Sequence, residues 1–348
     1  MFSYLIRRLL YTIPIIFGVM IITFILFFAI QKPDTMARVQ LGKRATPESV
    51  QTWLHNRGYD KPRFINWDAL KKHKVTIKEE KDGHTRTVTI EESGGSLFDS
   101  IFFHQMWRFA TFDFGKSDVT GRPLKEVFKT GAIPSLLITV PAFFAGLATA
   151  VAFALVLVFL RHSPIDTAGT ILCVMLMSLP SMIYIIFGQA LVAIGLKYFP
   201  AFGYELNGLS TMKFLLLPVA LMVVLGLGSD TRLYRTIFLE EYGQDYVRTA
   251  FAKGVPISRV MWVHVLKNGM IALITLTVAH LPVLILGSLL MENFFGIPGL
   301  GNTLYLAIQT TDFATVQAFV FIGALLIQAG LIATDFCYAL VDPRIRLS

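Results

Sequence analysis

The chain has 348 residues, of which 54% are hydrophobic and only 16% charged, with 29 Phe and a mean hydropathy of +0.61. Soluble domains carry roughly 25% charged residues, so this sequence holds too few charges to cover a water-exposed surface. The net charge of +8 is read as Lys and Arg retained on one side of a bilayer rather than as a nucleic-acid surface. Its two cysteines, Cys173 and Cys337, build neither a disulfide framework nor a zinc site.

A membrane-spanning helix needs about 20 mostly apolar residues. The first such run, 9–31, follows Arg7 and Arg8 and so imitates a secretory signal. It is too long for one and lacks a small-residue cleavage site, which predicts an uncleaved first span.

Residues 32–130 form a polar insert expected to fold as a small α+β domain on the outer side. Thr46 followed by Pro47 reads as a helix start. Val75-Thr76-Ile77-Lys78 and Thr87-Val88-Thr89-Ile90 alternate with period two around Asp82-Gly83, a hairpin signal near 75–90. The aromatic stretch 97–114 has two placements open to it, along the outer membrane interface or in the core of the insert.

Five further spans are predicted at 132–160, 167–196, 214–229, 269–291 and 313–334, making residues 131–348 a five-span core and, with the first run in 1–31, six spans in all. Pro134, Pro141, Pro180 and Pro282 are expected to bend their helices. Short-loop Lys and Arg gather at the termini, at Arg161 and across 230–268, which places both termini in the cytoplasm. The insert carries 18 Lys and Arg, but long loops are largely exempt from this bias.

Gly115-Lys116-Ser117 imitates the end of a phosphate-binding loop, yet Ala110 stands where the pattern needs its first glycine. Gly226-x-Gly228 meets Thr231 where a dinucleotide fingerprint needs its third glycine, so it reads as a packing feature. No residue is assigned a catalytic or metal-binding role. His280 lies inside an apolar run, and a neutral ring bonded to a neighbouring helix is expected. Asp230, Glu292, Asp312 and Asp335 are all placed at span ends, and this lack of deep carboxylates weighs against a proton-driven carrier. Ser178, Ser181, His280 and Ser288 are the residues expected to line a path.

The stretch 230–268 is the longest loop on the basic side. A helix is expected over 239–252, with Glu240 and Glu241 in its first turn and Arg248 and Lys253 near its end. Gly254 would stop it in a left-handed conformation, and Pro256 would restart a second helix over 257–268. Thr249, Ala250 and Ala252 would give a small-residue surface on which another protein could sit.

Asp245-Tyr246-Val247-Arg248-Thr249-Ala250-Phe251-Ala252-Lys253-Gly254, with His264-Val265-Leu266-Lys267-Asn268, resembles the coupling-loop motif of binding-protein-dependent ABC-transporter permeases of the dipeptide, oligopeptide and nickel branch. Tyr4-Leu5-Ile6-Arg7-Arg8, Phe112-Asp113-Phe114-Gly115-Lys116-Ser117, Glu292-x-x-Phe295-x-x-Pro298-Gly299-Leu300-Gly301 and Asp342-Pro343-Arg344-Ile345-Arg346 agree with it. Phe251, Gly269 and Phe313 depart from the usual pattern. The long insert is similar to that of Yej-type peptide permeases.

The resemblance implies an all-α type I importer permease in a bacterial inner membrane. It implies a second homologous permease, two ATP-binding subunits that hold ATP and Mg, and an extracytoplasmic substrate-binding protein as partners. Asp245, Tyr246, Arg248, Thr249, Ala250, Ala252, Lys253 and Gly254 would meet an ATPase subunit. The expected cargo is a short peptide or peptide-like compound. A nickel or metal-chelate importer of the same family, a proton-driven carrier and a docking sensor are the alternatives.

Overall fold

The computed structural model describes residues 2–30, 32–42, 44–70, 72–81, 84–93 and 96–341. In chain order the elements begin with α1 (Phe2–Phe24), α2 (Pro33–Leu41), α3 (Pro47–Arg57), β1 (Lys72–Lys81), β2 (His84–Ser93) and α4 (Ile101–Ala110). They continue with α5 (Leu124–Phe159), α6 (Pro164–Ser178), α7 (Ser181–Gly188), α8 (Leu209–Tyr242), α9 (Asp245–Ala252) and α10 (Ile257–Arg259). The last four are α11 (Lys267–Val278), α12 (Leu289–Phe295), α13 (Leu300–Gln309) and α14 (Phe313–Val341). Contacts divide the chain into one unit of 1–13, 126–306 and 322–348 and another of 14–125 and 307–321.

Among the described residues, five helical stretches are long and apolar enough to cross a bilayer: Ile6–Phe28, Leu124–Phe159, Ser210–Tyr242, Ile257–Val278 and Phe313–Cys337. Two bent pairs also qualify, Pro164–Ser178 with Ser181–Gly195 at 92° and Leu281–Phe295 with Leu300–Gln309 at 69°. The span expected over 167–196 is therefore broken at Pro180, the proline expected to bend it. Leu179 is extended (φ −94°, ψ 134°) and Pro180 follows it, because a proline ring crowds the helical conformation of the residue before it.

The expected fifth span over 269–291 also differs. Its helix stops at Val278, and a tight 3-10 stretch, Leu281–Leu286, holds Pro282 in its first turn. Pro134 and Pro141, by contrast, lie inside an uninterrupted α5.

In the first unit, a core of Ala150, Ala154, Tyr234, Phe238, Val260, Met261 and Val265 joins α5, α8 and the stretch after α10. A second core of Ile138, Ile185, Leu215, Met291 and Phe295 joins α5, α7, α8 and α12.

The other unit packs Phe24, Phe28, Met36, Val50, Trp53, Leu54 and Ile101 together. Thr46 caps α3 by accepting from the Ser49 N–H at 3.3 Å, as its sequence predicts. Strands β1 and β2 pair antiparallel, Val75 opposite Ile90 and Ile77 opposite Val88, and the expected turn at Asp82-Gly83 lies outside the described residues. The aromatic stretch is part buried and part exposed. Ile101 and Phe109 of α4 are buried, with Phe109 stacked on Phe321 at 5.1 Å, while Phe98, Trp107 and Phe112 face outward. Ser117, from the phosphate-loop imitation, is a buried clamp that donates to Asp312 Oδ2 at 2.5 Å. Asp312 and Asp118 together cap the start of α14, accepting from the N–H groups of Thr315 at 3.1 Å and Ala314 at 3.0 Å.

Candidate functional site

Helix α9 is short, and what fixes it is its inner edge. Val247 is 0% and Ala250 6% exposed, packed with Phe238, Val260 and Val265. Spaced three apart, they share one face. The outer face presents Asp245, Tyr246, Arg248, Thr249, Ala252 and Lys253. Ala250 is thus a correction: expected on the docking surface, it is an anchor turned inward.

The helix boundary is a second correction. The expected helix over 239–252 is broken at Gly243-Gln244, and Glu240 and Glu241 belong to the last turn of α8. The first-turn acid of α9 is Asp245, which favours the positive helix end. At the other end Gly254 has φ +78°, as its position predicts. The Gly254 N–H donates to Phe251 O at 2.9 Å and the Val255 N–H to Ala250 O at 3.1 Å, which closes the end carbonyls.

Side chains brace this knob. The Tyr246 hydroxyl donates to a Glu241 carboxylate oxygen. Burial, and then that hydrogen bond, raise the Tyr246 phenol above its ordinary pKa, so it stays a donor at neutral pH. Asp166 accepts two bonds from the Arg235 guanidinium, 3.0 and 2.9 Å, which pins the start of α6 to the far end of α8. The Arg161 guanidinium lies 4.0 Å over the Tyr242 ring.

The Glu292 motif builds a separate clasp. Glu292 is 0% exposed. Its carboxylate accepts from Ser135 Oγ at 2.8 Å, the Ser288 N–H at 3.0 Å and the Asn302 N–H at 2.9 Å. Ser135 Oγ in turn accepts from the Leu300 N–H at 2.7 Å. This ties α5 to both arms of the bent pair. Gly287, at φ +76°, is the residue that lets the chain pass: a Cβ there would lie 2.0 Å from Glu292 Oε1.

The expected path residues are scattered. Ser178 is exposed and bonded back to Val174 O at 2.7 Å, and Ser181 opens α7. Ser288 caps α12. His280 is exposed, and its Nδ1 lies 2.8 Å from Leu276 O of its own turn rather than from a neighbouring helix.

Two of the four carboxylates expected at span ends lie elsewhere: Glu292 is enclosed in the bent pair and Asp230 sits inside α8. Asp312, just before α14, and Asp335, bonded to Arg8 at 2.7 Å near the end of the apolar stretch Phe313–Cys337, stand at span ends as expected. The signal for the longer α8 was present as Thr231, Tyr234 and Phe238, buried residues at helical spacing.

Apolar spans with two proline-linked bends, and a short anchored helix between spans, are the features of a multi-pass helical membrane protein. The family model described as binding-protein-dependent transport system inner membrane component matches residues 142–347, and the model for the N-terminal part of such components matches residues 1–87. The chain belongs to this family of inner-membrane transport components. A putative peptide transport system permease protein of Brucella abortus is 27% identical over 99% of this chain and 99% of its own. The oligopeptide transport system permease protein AppB of Bacillus subtilis is 24% identical over 99% of this chain and 100% of its own. The glutathione transport system permease protein GsiC of Escherichia coli is 24% identical over 99% of each.

Proposed function

We propose that this chain is the membrane-spanning, non-hydrolytic subunit of an ATP-driven importer of short peptides or peptide-like compounds. The peptide, oligopeptide and glutathione permeases that match it over nearly their full lengths support that cargo class. It pairs with a second homologous permease and two ATP-binding subunits, which hold the ATP and Mg. A substrate-binding protein delivers the cargo from outside. Both termini and α9 face the cytoplasm, and the insert with its hairpin faces out.

The observation that carries the reading is the two-sided nature of α9. Buried Val247 and Ala250 root it in the core while Asp245, Tyr246, Arg248, Thr249, Ala252 and Lys253 are exposed. A helix held this way moves as one piece with α8 and the stretch after α10, so a partner gripping its outer face displaces the spans rather than bending a loop. Closure of the ATPase pair would then drive the spans between inward-open and outward-open states.

The test is disulfide cross-linking in the assembled transporter. A cysteine at exposed Thr249 is expected to cross-link to an ATP-binding subunit, with a yield that changes between nucleotide-free and ATP-trapped states. Cysteine at buried Val247 is expected to give none. Peptide plus binding protein should stimulate ATP hydrolysis by the complex. Cross-links from Thr249 only within this chain, with solute still transported, would overturn the coupling role.

A further inference from the structure

Helix α8 carries a carboxylate well inside its length. Asp230 is followed by residues 231–242 before the helix ends, about 18 Å of further helix at 1.5 Å per residue. An ionised group among apolar helices is costly unless it is paired or opens on water. Asp166 and Asp335 in the same unit are paired with Arg235 and Arg8. Asp230 forms no ion pair among the described residues, and the hydrogen bond it receives is a long one, 3.4 Å from Ser229 Oγ.

Instead it borders a cavity of about 170 Å³, lined also by Thr139, Phe143, Met222, Gly226, Tyr234 and Leu284. This is far above the roughly 10–15 Å³ that one water needs. Its chemistry is one carboxylate, two hydroxyl-bearing residues and two aromatic rings on otherwise apolar walls. A carboxylate attracts a cation and ring faces add to that attraction. Among the described residues the His280 ring is the group of opposite sign that interacts with it, and a ligand ammonium brings a permanent cation to the same carboxylate.

We propose that this cavity is a station for the ammonium group of the translocated peptide, with Asp230 supplying the charge and Phe143 and Tyr234 the aromatic walls. The proposal rests on the peptide-importer reading. The ammonium is that of the peptide N-terminus, a group shared by cargoes whose side chains differ.

The test uses the complete transporter reconstituted in vesicles, with uptake of trialanine, N-acetyl-trialanine and N-acetyl-Ala-Lys-Ala. Asp230→Asn is expected to lower the uptake ratio of trialanine to N-acetyl-trialanine about tenfold, one decade of affinity, while Asp230→Glu holds it near wild type. Loss of N-acetyl-Ala-Lys-Ala uptake in Asp230→Asn would assign the station to any ammonium, and its retention to the N-terminal one. If Asp230→Asn fails to assemble, Phe143→Leu is expected to lower the same ratio about threefold, the scale of one cation–ring contact. A ratio unchanged in the variant that assembles, whether both uptakes fall together or neither does, overturns the proposal. A wild-type transporter that moves none of the three peptides overturns the importer reading itself, and this proposal with it.

Discussion

Glu292 shows how a single side chain can hold a bend in place. Its carboxylate is enclosed and satisfied by a hydroxyl and two backbone N–H groups, which is how a buried anion avoids a counter-ion. Ser135→Ala removes the hydroxyl that serves both Glu292 and the Leu300 N–H. It should cost about 2 kcal/mol, the range for hydrogen bonds to charged groups. Glu292→Gln should cost more, because its amide NH₂ would face N–H donors. Both are expected to lower the thermal unfolding midpoint in detergent with helix content unchanged; midpoints equal to wild type would remove the clasp from the account. The motif was legible in the sequence as a resemblance. Its role was not, since the partners Ser135 and Asn302 are far from Glu292 or on another helix, and no local pattern links them.

At the scale of elements, α9 depends on its C-terminal stop. Gly254 has φ +78° with open space around its Cα, so the penalty for a side chain there is purely that of the backbone. Gly254→Val should cost about 1–2 kcal/mol and shift or fray the end of α9, uncoupling transport from ATP hydrolysis while the chain still inserts. Gly254→Asn, which tolerates the left-handed region, should keep most of the coupling. Equal transport per ATP in wild type and Gly254→Val would show that the stop is not needed. This stop was legible from Gly254 and Pro256 alone. The start of α9 was not: Glu240 and Glu241 suit a helix N-terminus, yet Phe238 and Tyr234 pack into the core and carry α8 on through them. Burial outweighed a dipole preference of at most a kcal/mol or so.

For the whole molecule, orientation is the property that charge distribution predicts and a labelling experiment decides. In a chain freed of Cys173 and Cys337, cysteines at exposed Val119 and Lys253 should behave oppositely toward a membrane-impermeant maleimide. Val119→Cys is expected to react in intact cells stripped of their outer membrane, and Lys253→Cys only after permeabilisation. Labelling of Lys253→Cys but not Val119→Cys without permeabilisation would reverse the assigned topology. Span counting was legible where a run was long and free of prolines near its middle, as for 313–334, which lies within α14. At 167–196 and 269–291 hydropathy found the run but measures only composition; the breaks were legible from Pro180 and Pro282, and their angles and the 3-10 stretch were not.

What the sequence determined by itself was the class of molecule: its apolar runs, its basic short loops and the helix stop at Gly254 are local properties, carried by neighbours along the chain. What only the tertiary structure decided was which side of α9 is buried, where Glu292 finds its donors and that Asp230 borders a cavity. Each depends on residues brought together by packing, and a helix face or an enclosed carboxylate has no meaning until the surface opposite it exists.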